Sequence, residues 1–153
     1  MSDMPFRQLK QIGFVVEDVD ALVERWKSFG FESWTPVIVV NGSTTEDMRQ
    51  ADEPIDYETK VAINFDLGVE LEFIEPVSDN SIYAVFLREH GPGLHHLQID
   101  GEDGEHGKMV DFLMGLTDGK QLISGGPAEF RYRYFDTVAD LGFIAETLGD
   151  IDD

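Results

Sequence analysis

Four polar side chains recur in matched settings along this chain, and all four are of types that ligate a divalent metal ion. His96 opens the alternating run His96-Leu97-Gln98-Ile99-Asp100, which leaves the turn Gly91-Pro92-Gly93. Gln11 opens a similar run, Gln11-Ile12-Gly13-Phe14-Val15-Val16, closed by Glu17 and Asp18. A second pair also repeats. Glu72 stands fourth after Gly68 in Gly68-Val69-Glu70-Leu71-Glu72, and Glu146 stands fourth after Gly142 in Gly142-Phe143-Ile144-Ala145-Glu146. The order, a strand-opening ligand followed by G-x-x-x-E, therefore occurs twice. A hidden repeat of this kind sets the fold expectation before any single element does.

Together these residues point to a metal. Two carboxylates buried side by side without a cation are forced to protonate or cost stability. A divalent ion removes that cost, because two carboxylates cancel its charge and neutral Gln and His complete the set. Ligands offering three oxygens and one nitrogen, without thiolate, suit Zn, Ni, Co, Mn or Fe. Four protein ligands around an octahedral ion leave two positions for water or a bidentate substrate. A single strand His is more often a core residue, and a single strand Glu more often a surface one; the repetition is what lifts these four above that reading. Glu70 shares a face with Glu72, and the spacing from Gly68 selects Glu72. His95 neighbours His96 on the same strand, so the two are expected to point to opposite faces. His90, His95 and His106 are read as structural or solvent-exposed.

Elements to position these residues follow from the pattern. Leu9 to Val16 reads as a strand. Asp18 reads as a helix N-cap, followed by a stripe of Val19, Leu22, Val23, Trp26 and Phe29 at helical spacing, with Gly30 as the stop. Phe31 to Val40 reads as the second strand, ended by the turn Asn41-Gly42. Residues 43–58 read as a long acidic loop with a helical turn, a length that often marks function. Lys60 to Leu67 and Val69 to Glu75 complete a β-α-β-β-β module over about 9–75. In the linker 76–93, Ser81 caps a short helix bearing Ile82, Val85 and Phe86. The second module, about 94–148, repeats the order: a strand from Leu94 to Asp100, a helix around Lys108 to Gly115, and strands at 121–124, 129–135 and 143–148. The fold class is α+β: two tandem βαβββ modules within one domain, 1–153, whose eight strands form a curved sheet trough. The trough would bring Gln11, Glu72, His96 and Glu146 together from four different strands.

Composition narrows the partners. The 153 residues include 31 acidic and 11 basic side chains, giving a net charge of −20 and no cysteine. So strong an acidic excess argues against nucleic acid and anionic membranes. No disulfide, thiolate ligand or cysteine nucleophile is available. No stretch reads as a signal peptide or membrane span, so a cytoplasmic protein is expected. An anionic substrate would need local positive charge, from a metal or from Arg131 and Arg133, which share one strand face.

At these residues the sequence resembles the vicinal oxygen chelate superfamily, the glyoxalase and bleomycin-resistance fold. The likeness spans nearly the whole chain. The set Gln11, Glu72, His96, Glu146 is similar, in that order, to the metal set of glyoxalase I. Ser81-Ile82-Tyr83-Ala84-Val85-Phe86-Leu87-Arg88-Glu89-His90-Gly91-Pro92-Gly93-Leu94-His95-His96 and Leu71-Glu72-Phe73-Ile74-Glu75-Pro76 resemble methylmalonyl-CoA epimerases. The epimerases usually open with His where this chain has Gln11, and their stretch before the last glutamate differs from Phe130 to Thr137. The resemblance implies one divalent metal, a small-molecule substrate such as an acyl-CoA or a glutathione adduct, and a homodimer. It gives Glu146 the role of ligand and base, and places an opposing acid/base near Asp56-Tyr57-Glu58, with Glu58 chosen. The implied function is metal-dependent epimerisation by proton abstraction α to a carbonyl, on a methylmalonyl-CoA-like thioester. A lactoylglutathione lyase and a non-catalytic binding protein are the alternatives.

Overall fold

The computed structural model describes residues 5–153. Strand β1 (Gln8–Val15) leads into helix α1 (Val19–Ser28). Asp18 caps that helix, its Oδ1 accepting from the Ala21 N–H at 3.0 Å, an interaction worth about 1 kcal/mol. Val19 and Val23 face inward from α1. The helix stops at Gly30, whose φ of +100° a side chain would resist.

Strand β2 (Ile38–Val40) is shorter than the run expected from Phe31. Pro36 interrupts the ladder, and Trp34 makes only an isolated bridge to Asn64. Trp34 is instead drawn into an aromatic cluster with Trp26 and Phe73. The stretch expected as a loop contains a small hairpin, β3 (Arg49–Gln50) and β4 (Glu53–Pro54). It turns at Ala51 and Asp52, with φ of +52° and +63°, the left-handed pair that a tight two-residue hairpin demands.

Strands β5 (Thr59–Asn64) and β6 (Glu70–Pro76) complete the first module. Helix α2 (Ile82–His90) follows, with Ser81 Oγ accepting from the Ala84 N–H at 3.1 Å as its cap. The second module contains β7 (Gly93–Asp100), α3 (His106–Leu116), β8 (Ile123–Gly125), β9 (Arg131–Phe135), the short helix α4 (Val138–Leu141) and β10 (Ala145–Gly149). A 3-10 turn over Ala128–Phe130 takes the place of the first residues expected in β9. No helix among the described residues is long and apolar enough to cross a membrane.

All strands join one curled sheet in the order β2-β5-β6-β1-β7-β10-β9-β8-β3-β4. Among the described residues, ten strands replace the expected eight because the β3–β4 hairpin, from the first module, pairs onto β8 of the second through Arg49 and Ser124. Each module is the same four-strand unit: β1 lies parallel to β6 and β7 parallel to β10, and β1 and β7 join the units antiparallel. Register proves the repeat. Gly13 pairs with Glu72, and Gln98 pairs with Glu146. Gln11 and His96 therefore each lie two residues before the partner of their module's glutamate, on the same face of the sheet. One face of each module packs under its own helix, α1 over Phe73 and Ala62, and α3 over Phe135 and Ala145. The other faces meet in a shared interior containing Val15, Ile74, Tyr134 and Ile123, closed at one end by Tyr83 of α2.

Candidate metal centre

Gly68 and Gly142 hold φ of +80° and +87°, left-handed turns that launch β6 and β10. Those turns aim Glu72 and Glu146 into the interior from opposite modules. Between them lies the imidazole of His96, fully buried. Its Nε2 is 3.3 Å from Glu72 Oε1 and 3.1 Å from Glu146 Oε1. The three ligand atoms lie within 4.8 Å of one another.

Room for His96 comes from Gly13. The two residues pair across β1 and β7, and a Cβ at Gly13 would overlap the imidazole ring itself. His95 departs from the expected opposite orientation. It is an extra residue in β7, because Gly13 pairs with His96 and Phe14 with Leu94. Such a bulge turns two successive side chains toward one side. The two Nδ1 atoms consequently lie 3.0 Å apart, and His95 is buried against Tyr83 and Phe86. Burial, with the neighbouring His96 and His90, holds the His95 imidazole down to about 3, so it stays neutral.

The charge state of the trio follows from its burial and from the mutual contacts of its members. Burial lowers the basicity of His96, but the Glu146 and Glu72 carboxylates outweigh it and raise its pKa to about 9. Burial raises the Glu146 carboxyl to about 7. Glu72 Oε1 and Glu146 Oε1 are both buried and neither accepts a well-aligned hydrogen bond. A single ring nitrogen, with at most one proton, faces both carboxylates and also the Tyr134 hydroxyl at 3.1 Å. One divalent cation among these atoms would satisfy both orphaned oxygens and neutralise both charges. The residues present thus fit a metal ion.

Gln11 is buried on the same face, and its Nε2 donates to Glu70 Oε1 at 3.1 Å. Glu58 lies apart. Its carboxylate accepts from Asn41 Nδ2 at 3.0 Å, and the neighbouring Tyr57 lines the cavity instead. Arg131 and Arg133 do share a face, but it is the face opposite Tyr132 and Tyr134, away from the cavity. Arg131 is occupied by the backbone of Gly126 and Asp47 and by Ser124 Oγ, all at 2.8 to 2.9 Å. Arg133 is buried on that side, where burial first and the nearby Arg133 charge second lower the pKa of His106. A second acidic trio, Asp18, Asp20 and Glu75, is already engaged by Lys60 and the Val19 N–H.

A cavity of about 240 Å³ opens from Glu72 and Glu146. Its first wall carries Ile38, Val40, Val61, Ile63 and Ile74 from three adjacent strands of the first module. Its second wall carries four tyrosines, which the reading of single residues passed over. Tyr83 donates to the Tyr134 hydroxyl at 2.8 Å, and the Tyr57 and Tyr132 hydroxyls pair at 3.1 Å. Burial pushes all four phenols above their ordinary value, so they remain protonated. The alternation Arg131-Tyr132-Arg133-Tyr134 on β9 was a usable signal, since one alternate set had to face the trough.

Comparison with known proteins places the chain among relatives. The profile of the Glyoxalase/Bleomycin resistance protein/Dioxygenase superfamily matches residues 10–107. No curated protein sequence matches. Among solved structures, methylmalonyl-CoA epimerase from Mycobacterium tuberculosis is similar at 18% identity and a TM-score of 0.59, over 98% of this chain and 92% of that one. A variant of the Streptomyces coelicolor methylmalonyl-CoA epimerase, in complex with 2-nitronate-propionyl-CoA, is similar at 19% identity and a TM-score of 0.63, over 95% and 98%. A methylmalonyl-CoA epimerase in complex with methylmalonyl-CoA and ammonium gives 19% and 0.61, over 95% of each chain. At these identities the likeness is one of fold.

Proposed function

This chain belongs to the Glyoxalase/Bleomycin resistance protein/Dioxygenase superfamily, and from that premise we propose that it is a metal-dependent isomerase or epimerase that moves a proton at the carbon α to a carbonyl. The observation that carries the reading is the convergence of Glu72, His96 and Glu146 with two buried carboxylate oxygens left without aligned donors. Those three residues would hold one divalent ion, with Gln11 as the fourth ligand through its amide oxygen while its amide nitrogen stays on Glu70. Such an ion, when bound, supplies Lewis acidity toward two vicinal oxygens of a substrate.

The residues themselves divide the remaining work. Glu146 takes the α proton: a bound cation would hold its carboxylate ionised, and its Oε1, 3.1 Å from His96 Nε2, has no aligned donor to compete for it. Glu72 approaches from the opposite module, so it can serve the other face of the same carbon, the role that sequence alone gave to Glu58. Tyr134 accepts from Tyr83 and places its hydroxyl 3.1 Å from His96 Nε2, which orients the imidazole between the two carboxylates. Two walls of apolar and phenolic side chains border the cavity above these groups.

For the substrate we propose a methylmalonyl-CoA-like acyl thioester, supported by the epimerase complexes that share this fold. The test is solvent deuterium entry at the α-carbon of methylmalonyl-CoA, with protein loaded with Co²⁺, beside Glu146→Gln. Exchange by the wild type, reduced at least about 100-fold in the variant, supports the reading. Metal binding with no exchange of any acyl thioester overturns it. Thioester formation from methylglyoxal and glutathione would move the assignment to a lactoylglutathione lyase.

A further inference from the structure

The cavity beside the metal ligands has a chemical character of its own. Rungs of the sheet run across it in order. Ile63 of β5 pairs with Glu72, which lies on the ligand rung. On the next rung Ile38 pairs with Val61, and Val61 with Ile74. On the third, Val40 pairs with Thr59. An apolar strip therefore begins directly at the carboxylate and runs outward to Ile38, which is 53% exposed at the mouth.

Across the cavity the tyrosine hydroxyls bond to one another or to His96 rather than standing free. Among the described residues, no Lys or Arg lines the cavity. Arg131 and Arg133 lie behind the sheet. Glu72 and Glu146 sit at the cavity floor, and the whole chain carries −20. An anionic group beyond the two chelating oxygens would meet an apolar wall, neutral phenols and a repulsive field.

We infer that the substrate continues beyond its two vicinal oxygens as an uncharged apolar group, and that the protein reads no second carboxylate or phosphate on it. The inference rests on the function proposed above and narrows its substrate class. It is compatible with a thioester arm and assigns no recognition to the nucleotide phosphates of a CoA.

Three hydroxamates with one chelating head and different tails test it: acetohydroxamate, hexanohydroxamate and the monohydroxamate of succinate. Binding to the Co²⁺-loaded protein is followed by calorimetry and the cobalt absorption spectrum. Hexanohydroxamate is expected to bind at least about tenfold tighter than acetohydroxamate, from methylenes buried on the apolar strip. The succinate probe is expected to bind weaker than acetohydroxamate, and to recover as salt screens the field. Ile38→Lys, at an exposed position that tolerates the change, should narrow the gap between the hexanoyl and succinyl probes. A succinate probe that binds as tightly as the hexanoyl one overturns the inference while leaving the proton-transfer reading intact. The expected order without α-proton exchange upholds the inference and overturns that reading. Failure of every hydroxamate to bind the loaded protein overturns both.

Discussion

The two modules use one framework and fill it differently. In the second, His96 faces Gly13 across β1 and β7; in the first, Gln11 faces Gln98. These pairs correspond between the modules, because Gly13 and Gln98 are the respective partners of Glu72 and Glu146. With nothing above Gly13, the His96 ring lies across the sheet and reaches both glutamates. With Gln98 opposite it, Gln11 turns along the sheet to Glu70. The reach of each side chain is set by the size of its cross-strand neighbour as much as by its own identity.

The sharpest way to break this comparison is to fill Gly13. A methyl there must displace the His96 ring. Gly13→Ala is expected to lower affinity for Co²⁺ at least about 100-fold, as far as loss of the ligand itself does. Gln98→Ala, the symmetric position, should change it by no more than a few fold. Metal titration of both variants decides the matter, and equal effects would mean that the asymmetry of the neighbours is irrelevant.

Next in size is the comparison of the ligands. His96→Ala and Glu146→Ala are expected to lose metal by at least about 100-fold, and Gln11→Ala by about tenfold. Elemental analysis of purified proteins, followed by competition with a chelator, measures each. A Gln11→Ala loss equal to that of His96→Ala would show that the two modules contribute equally.

The repeat made much of this legible. The doubled G-x-x-x-E identified Glu72 and Glu146 because each glycine supplies a left-handed turn that fixes which side of the strand the fourth residue faces. The caps at Asp18 and Ser81 were equally local and equally readable. What escaped were features decided between distant segments. The β3–β4 hairpin needs the edge of β8 to exist, and nothing in residues 43–58 announces that edge. The bulge at His95 depends on the register against β1, so strand alternation alone gave the wrong face. Arg131 and Arg133 were correctly placed on one face, but which face became the trough was settled by Tyr132 and Tyr134 packing inward. Gly13 gave no signal by itself, since its role is to be absent beneath a ring 83 residues away.

Proton linkage sharpens the comparison at smaller scale. Without metal, the His96 pKa of about 9 lies above its ordinary 6.5, and that of Glu146, about 7, above its ordinary 4.5. Both folded values are raised, so both groups stabilise the fold most at low pH, below their ordinary values. That contribution is lost as pH rises through about 7 for Glu146 and about 9 for His96. The metal-free protein should therefore lose stability as pH rises from about 4.5, the ordinary value of Glu146, to about 9, the folded value of His96, and bound metal should restore it. Metal affinity has the same origin. A cation must displace the protons, so it binds more tightly as pH rises toward 9, by at most about tenfold per unit for each proton released. Calorimetry in two buffers of different ionisation enthalpy counts those protons; binding with no release at pH 7 would contradict the raised His96 value. Gln11→Ala should leave the number of protons released unchanged from wild type, because an amide carries no proton to lose.

The smallest effect separates the two tyrosine pairs on the second wall of the cavity. Tyr83 is buried and donates to Tyr134, which in turn faces His96 Nε2. Tyr57 pairs with Tyr132, and neither hydroxyl is bonded to His96. Removing the Tyr83 hydroxyl deprives a buried acceptor of its donor, which costs about 1–2 kcal/mol. In a chain of this size that is a fall of roughly 2–8 °C in Tm. Tyr57→Phe disturbs a pair at the cavity surface and should cost less. The useful readout is the His96 ring, followed by its imidazole nuclear resonance in the metal-free protein. Tyr83→Phe should shift that resonance by loosening Tyr134, whereas Tyr57→Phe should leave it in place. Equal shifts would mean that the four phenols act as one network, and that the chain from Tyr83 through Tyr134 has no special hold on the ligand.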